Sequence, residues 1–348
     1  MFRIFSGLLG FSLLLSGCSG LRGVGAPGAN GSLPAPKPYV RIDNTDSNHV
    51  ALQIAAREFL PARHGEPVIW LAGVSHIGES NYYAALQTML DQQTLVLFEG
   101  VGAAERENAT EHGDKAQLSQ NTKEEPDATG GDRGSLQSAM AAGLGLVFQL
   151  EAIDYRRDNF RNSDLSITQL RQLIAEQEAR SGKPGASEGF EDLMSLMEGN
   201  SWLDWLIQLA LRFLGTNPKF QALGRLALID VLGQLQGDPS RLEGLPSDLK
   251  QLLEVLLERR NEKVITDLKP ELRQIGRDGS IAIFFGTGHM PDLEKRLRRD
   301  LKYRPNRDLW FTAFGVDLGK SQISPSERAF IDDFVKWQVT EASRRRSK

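Results

Sequence analysis

Two copies of a glycine-x-x-histidine pattern lie far apart in the chain, and each follows a short apolar run. Gly73 precedes His76 in WLAGVSHIGES, and Gly286 precedes His289 in FFGTGHMPDL, where Gly288 is a further glycine. Glycine lets the backbone turn sharply and approach a bound ligand closely, so all three are candidate ligand-binding positions. Neutral imidazoles are good ligands for divalent ions. The pair therefore indicates a binding or catalytic site.

Acidic residues at the ends of other apolar runs could complete this site. Glu99 ends LVLFE, and Asp154 follows VFQLEAI. Two imidazoles and one carboxylate can hold a divalent ion and leave positions open for water. The sequence predicts His76, Glu99 and His289 as ligands, with Asp154 as a further ligand or as the partner that orients a histidine. An ordinary strand end is the alternative for Asp154, and Asp164 is expected to cap the following helix.

Arg260 and Asn261 are a third candidate element. They lie within a predicted long helix, and charged residues surround them in the sequence. A solvated helix face is one interpretation. The other is that the arginine points inward, where it could bind a substrate carboxylate or stabilise an oxyanion.

The elements that must position these residues follow from hydrophobic patterns. Short apolar runs predict five strands: Val68–Ala72, Leu95–Glu99, Val147–Ile153, Ile281–Phe285 and Leu309–Phe314. Helical patterns predict an apolar face through Tyr82 and Leu90, and helices at Leu165–Glu178, Trp202–Phe213, Phe220–Leu235, Leu249–Ile275 and Leu293–Leu301.

This alternation predicts an α/β fold, with a central mixed or parallel sheet flanked by helices. The two glycine-x-x-histidine elements fall in separate halves, and a helical subdomain at 164–275 separates them. In such sheets ligands bind beyond the carboxyl ends of the strands. The candidate residues follow predicted strands, so we expect them to meet at one edge.

The first residues predict export. Residues 1–17 combine Arg3 with a short apolar stretch and end in Leu-Ser-Gly before Cys18, a pattern that resembles a lipoprotein signal with Cys18 as the lipidated residue. An ordinary secretory signal is the alternative. Residues 18–45 read as the lipidated cysteine and a flexible tether. Ser19 after the cysteine favours the periplasmic face of the outer membrane, by resemblance to Gram-negative sorting rules.

The amino-acid composition argues against several classes of function. Hydrophobic residues make up 40% and charged residues 25% of the chain, as in globular proteins. The net charge of -4 and the absence of a basic stripe argue against nucleic acid as a partner. Cys18 is the single cysteine, which excludes an internal disulfide and a thiolate nucleophile. Residues 102–135 are polar and predict a disordered insertion within an α/β domain at 46–340.

The order of these motifs resembles the TraB/GumN family, which is related to TIKI metalloproteases and ChaN-type lipoproteins. The resemblance is carried by GVSHIGESNYYAAL, LVLFEGV, the Arg260–Asn261 pair and FFGTGHMPDLEKRL. It implies an α/β domain of two halves and a metal-dependent hydrolase, with peptidase activity in the TIKI branch. It also implies a site of His76, Glu99, Arg260, Asn261 and His289.

Two functions are expected from this site. The first is a lipid-anchored hydrolase with a bound Mn, Co or Zn ion, acting on a peptide or small ester. There Glu99 is a ligand or a general base, and Arg260 and Asn261 orient the substrate. The alternative is a ChaN-like lipoprotein that binds haem or another ligand without catalysis, with Tyr82, Tyr83, Tyr155 or a histidine as axial ligand.

Overall fold

The structure is a computed structural model, and it describes residues 34–100, 136–182, 185–197, 215–233 and 252–345. Several predictions fall outside these ranges. They are the signal at 1–17, Cys18 with most of the tether, the insertion at 102–135 and the helix at Trp202–Phe213.

A seven-stranded mixed sheet forms the centre of the fold, beside a two-stranded sheet. The strands are β1 (Val40–Asp43), β2 (His49–Leu60), β3 (Val68–Val74), β4 (Ile77–Gly78), β5 (Leu95–Phe98), β6 (Val147–Phe148), β7 (Phe160–Asn162), β8 (Ser280–Gly286) and β9 (Arg304–Asp317). β3, β8, β5 and β7 are neighbours in that order and run parallel. β2 pairs antiparallel with β1 and β3, and along its length with β9.

Helices occupy the connections between the strands. They are α1 (Ser80–Asp91), α2 (Leu136–Gly143), α3 (Gln149–Ala152), α4 (Ile167–Ser181), α5 (Ala186–Met197), α6 (Pro218–Gly233), α7 (Arg260–Ile275), α8 (Met290–Arg299) and α9 (Pro325–Arg345). A π-helical segment, Glu254–Arg259, precedes α7, and a 3-10 turn, Thr287–His289, precedes α8.

Both faces of the sheet are covered, which explains the continuous hydrophobicity of β3, β5 and β8. Along β8, Ile283 and Phe285 point to the face packed by α7 and α8, whereas Ala282 and Phe284 point to the face packed by α1, α6 and α9. The predicted α/β class is confirmed. Helices pack on both faces of the sheet, and this packing holds the carboxyl ends of the parallel strands in place.

Several strand assignments differ from the sequence prediction. Val147–Ile153 was expected to be one strand, but only Val147–Phe148 is extended and Gln149–Ala152 is helical. The third strand of the parallel set is instead Phe160–Asn162, a segment too short to show a hydrophobic pattern. The long strand β2 was not predicted, because its alanines and its Arg57–Glu58 pair obscure the alternation expected of a strand.

The described part of 164–275 is helical, as predicted, but it is not one unit. α4, α5 and residues just before α7 share a small separate core around Leu170, Phe190 and Val255. α6 and α7 instead pack on the two faces of the sheet. α7 therefore delivers Arg260 and Asn261 directly to the sheet. Among the residues the structure describes, no helix is long and apolar enough to cross a membrane.

Candidate active site

Four strand ends meet at one edge of the sheet and carry the polar residues of the candidate site. Because β3, β5, β7 and β8 are parallel, the residues after them lie on the same edge. β3 leads to His76, β5 to Glu99, β7 to Asp164 and β8 to His289. Arg260 reaches this edge from the first residue of α7, directly after the π-helical turns. Such π segments often occur at functional sites.

An ion-pair cluster lies at the centre of the site. Arg260 Nη2 lies 2.6 Å from Glu99 Oε1 and 2.6 Å from Asp164 Oδ2, and Arg260 Nε donates to Asp164 Oδ1 at 2.8 Å. The backbone amide of Gly286 donates to Glu99 Oε2 at 2.7 Å. Burial alone would raise the pKa of Glu99, but Arg260 and the neighbouring donors lower it well below its usual range. Glu99 is therefore a stable carboxylate.

His289 is buried, and its tautomer is set by Asn261. His289 Nδ1 lies 2.8 Å from Asn261 Oδ1, so Nδ1 carries the proton, and Asn261 Nδ2 donates to Asp292 Oδ2 at 3.0 Å. His289 Nε2 faces Arg260 Nη1 at 3.4 Å and Glu99 Oε1 at 3.8 Å. Burial and the charge of Arg260 lower the pKa of His289 to about 4. The imidazole is neutral near pH 7 and presents a lone pair at Nε2.

His76 has the same arrangement at the exposed rim of the site. His76 Nδ1 lies 2.9 Å from Gln149 Oε1, and Gln149 Nε2 donates to Tyr155 Oη at 2.7 Å. His76 Nε2 is then the unprotonated nitrogen. A Cβ on Gly286 would lie 3.4 Å from His76 Nε2 and 3.3 Å from Glu99 Oε2. Glycine at 286 therefore leaves room between His76 and Glu99.

The structure thus brings together five residues singled out in the sequence: His76, Glu99, Arg260, Asn261 and His289. Gly73 has another role. A Cβ there would meet Thr287 Cγ2 at 3.0 Å and the Ala55 carbonyl oxygen at 3.2 Å, so Gly73 permits close packing of β3. Gly288 lies in the 3-10 turn that places His289.

Asp154 is not among the residues that meet at this edge. Its carboxylate is 37% exposed and pairs with Arg156 at 3.1 Å and Arg157 at 3.6 Å. Hydrogen bonds from Arg156 lower its pKa. Asp154 follows the misassigned strand, whereas the true third parallel strand ends beside Asp164. The second carboxylate at this edge belongs to Asp164, which binds Arg260.

Asp164 and Gln149 are the two site residues that the sequence reasoning missed. Asp164 was expected to cap the following helix, but Ser166 caps α4 in a capping box with Gln169. Asp164 instead binds Arg260 and accepts the amide of Gly100 at 3.1 Å. Its position after a three-residue strand was the available signal. Gln149 lay inside the predicted strand, where no pattern distinguished it.

The donor types suit a divalent ion, although no complete metal cluster is present. Within the described ranges, no three His, Cys, Asp or Glu side chains are arranged to hold an ion. In this structure Arg260 binds Glu99 Oε1 and the Gly286 amide binds Oε2. The donor set still fits. Two unprotonated imidazole nitrogens border a carboxylate, and Glu99 and Asp164 outweigh the one charge of Arg260, which favours a cation.

The tyrosines considered as haem ligands have structural roles. Tyr82 Oη accepts the Ser75 amide at 3.1 Å, and Tyr83 Oη donates to the Ser75 carbonyl at 2.8 Å. Burial raises the pKa of Tyr82, Tyr83 and Tyr155, so a phenolate ligand is disfavoured at each. No contact among the described residues favours haem over a metal ion.

Comparisons of the chain with protein-family models, with curated proteins and with solved structures find no match.

Proposed function

We propose that the chain is a metal-dependent hydrolase that cleaves a peptide or small ester bond, as the resemblance to the TraB/GumN family implies. The observation that carries the proposal is the pair of imidazole Nε2 atoms, from His76 and His289, that border the Glu99 carboxylate. To hold a Mn, Co or Zn ion together with the two histidines, Glu99 would have to release Arg260 or the Gly286 amide. The ion would then act as a Lewis acid and lower the pKa of a bound water.

Neighbouring amide side chains support such a site, because they determine which ring nitrogen of each histidine carries the proton. Gln149 and Asn261 each accept the Nδ1 proton of a histidine, which is the partner that metal-binding histidines require. His289 is buried and His76 is exposed, so His76 is the imidazole that water and substrate can reach.

Arg260 is better suited to positioning Glu99 than to contacting substrate. Its guanidinium is buried and engaged by Glu99 and Asp164. By stabilising the ionised form of Glu99 it makes that carboxylate a weak base, which favours a ligand role for Glu99 over general-base catalysis. Asn261 acts through His289 in the same way.

The test is the metal content of the full chain with Cys18→Ser, measured by elemental analysis beside a His76→Ala/His289→Gln variant. We expect Mn, Co or Zn close to one ion per chain in the parent, and loss of both the metal and hydrolysis of peptide and ester substrates in the variant. His64→Ala, which changes an exposed histidine elsewhere, is the matched control. A parent that takes up no metal after reloading would contradict the proposal.

We also propose that Cys18 carries a lipid that anchors the protein to the cell envelope, at the periplasmic face of the outer membrane. The support is the pattern of residues 1–18. Metabolic labelling with a radioactive fatty acid should label the parent and not Cys18→Ser. Equal labelling of both forms would contradict the anchor while leaving the hydrolase proposal intact.

A further inference from the structure

The C-terminal helix α9 has one face packed on the protein and another that is exposed. One face packs on the body of the protein through the buried Ile331 and Val335. On the same side, Arg328 Nη2 lies 3.1 Å from Asp230 Oδ1 on α6, and Lys219 on α6 pairs with Glu327 at 2.8 Å. This side of the helix is therefore docked by both apolar and ionic contacts.

Another face of α9 carries a stripe of aromatic side chains, Phe330, Phe334 and Trp337. Their spacing of four and three residues places them on one side of a helix. Phe330 is 70% exposed and Trp337 is 53% exposed, and the ring of Phe334 lies 6.2 Å from each of them. Phe330 is the most exposed large apolar side chain in the described ranges. Contiguous exposed apolar surface of this kind marks an interaction site.

The charge at the end of α9 indicates the kind of partner. The helix ends in Arg344 and Arg345, and the sequence continues with Arg346, Ser347 and Lys348. The last acidic residue of the chain is Glu341. Four cations in five residues attract an anionic surface.

We propose that α9 lies on an anionic phospholipid surface, with the aromatic stripe at the boundary between headgroups and acyl chains. Exposed Phe and Trp on one face of a helix, followed in the sequence by Arg and Lys, match the composition of helices that lie in a membrane interface. The aromatic stripe alone would fit an apolar groove on a partner protein. The cationic end of the sequence fits anionic headgroups. The proposal does not depend on the metal site or on hydrolysis.

The test uses the full chain with Cys18→Ser and vesicles containing brominated acyl chains, which quench tryptophan at the membrane interface. Vesicles with about one-third phosphatidylglycerol are compared with pure phosphatidylcholine. Trp337→Phe keeps an aromatic ring in the stripe, so the difference between its quenching and that of the parent reports on Trp337 alone. We expect clear quenching of Trp337 by the anionic vesicles, which weakens as salt is added.

Partitioning of two further variants separates the stripe from the rest of the chain. Phe330→Ser/Trp337→Ser should lower the partition coefficient on anionic vesicles by about tenfold or more, because two exposed apolar side chains are lost. Phe220→Ser changes a side chain that is 51% exposed on α6 and should leave partitioning unchanged.

Three results would overturn the proposal. The first is vesicle binding without quenching of Trp337. The second is protection of Trp337 from acrylamide in free solution, which would mean that another segment of the chain covers the stripe. The third is a dimer that dissociates in Phe330→Ser/Trp337→Ser with no change in vesicle partitioning, which would assign the stripe to a second copy of the chain.

Discussion

Side-chain amides at the candidate site determine what its two histidines can do. The hydrogen bond made by one ring nitrogen of a neutral imidazole determines which nitrogen presents a lone pair to a ligand. Gln149 supplies that acceptor for His76 at 2.9 Å, and Asn261 supplies it for His289 at 2.8 Å. Both Nε2 atoms are thereby left unprotonated near Glu99. The amides come from α3 and α7, so these helices set the protonation pattern of the site.

Replacing Gln149 should impair the site without unfolding the protein. In Gln149→Leu, His76 loses its acceptor and can adopt the other tautomer, so we expect metal affinity or kcat to fall by about 10- to 100-fold. Gln149→Glu keeps an acceptor oxygen and should recover part of the loss. Titration of the metal by calorimetry, together with steady-state kinetics, measures both effects.

Leu150→Gln is the control for this prediction, because Leu150 lies on the same helix but is 52% exposed. It should match the parent in affinity and in kcat. If Gln149→Leu also matches the parent, Gln149 does not position His76.

Arg260 is the residue on which the stability of the site depends most. It is buried with Glu99 and Asp164, and removing one member of a buried ion pair costs about 3–5 kcal/mol because the partner charge is left unpaired. We expect Arg260→Met to lower the free energy of unfolding by an amount in this range, measured by urea denaturation near pH 7. Arg259→Met, at the preceding and more exposed position, should change it by about 0.5 kcal/mol or less.

The free energy of unfolding at acidic pH gives a second test of the role of Arg260. Arg260 and the neighbouring donors lower the pKa of Glu99 in the folded chain. A lowered pKa stabilises the fold above the unfolded pKa of about 4.3, and that contribution is lost as the pH falls. Arg260→Met should therefore lose less stability than the parent between about pH 5 and pH 3. A parallel fall in both proteins would contradict the ion-pair interpretation.

The spacing of motifs identified most of these residues but not their partners. His76, Glu99 and His289 were predictable because each follows an apolar run. Asp164 was missed because the strand before it, Phe160–Asn162, has three residues and no hydrophobic periodicity. A single misplaced strand was thus enough to select Asp154 in its place.

The contact between helices α6 and α9 contains a buried carboxylate. Asp230 on α6 is 7% exposed and faces both Arg328 and Asp332 on α9. Burial, and then the hydrogen bond with Asp332, raise the pKa of Asp230 to about 7. The folded chain therefore holds a proton that the unfolded chain releases near pH 4, so stability should fall as the pH rises from about 4 to 7.

Asp230→Asn should remove this pH dependence. Asparagine has no charge to desolvate and still offers an oxygen to Arg328, so we expect the variant to be more stable than the parent by about 1–2 kcal/mol at pH 8. The difference should vanish near pH 4. Thermal denaturation at a series of pH values measures it, with Asp333→Asn, at an exposed position of α9, as the control. A constant difference at all pH values would count against titration of Asp230.

The α/β class of the whole molecule was predictable, but the order of its strands was not. Alternating apolar runs and helical patterns indicate helices on both faces of a sheet. They do not reveal that β2 runs antiparallel between β9 on one side and β1 with β3 on the other. That arrangement depends on contacts between distant residues. Arg57, a charged residue buried in β2, is the centre of one such set of contacts.

Arg57 on β2 contacts three other parts of the chain. Its guanidinium lies 2.7 Å from Glu294 on α8 and 2.6 Å from Asp308 on β9, and it donates to the carbonyl oxygen of Lys37 at 3.1 Å. Tyr39 donates to Glu294 at 2.8 Å and stacks against the Arg57 guanidinium at 4.3 Å. The segment that leads into β1 is thus held to α8 through a charge that is only 2% exposed.

Arg57→Met should therefore destabilise the whole domain and release its N-terminal segment. We expect a loss of about 3–5 kcal/mol in urea denaturation, because Glu294 stays buried without its main cation. Hydrogen exchange should accelerate first at the amides of β1 (Val40–Asp43), the strand that follows this segment, and only later elsewhere. Adding Glu294→Gln should restore part of the stability, since it removes the unpaired charge. Arg63→Met, at a surface ion pair whose arginine is 73% exposed, should have almost no effect. Unchanged exchange at β1 in Arg57→Met would show that other contacts hold this segment.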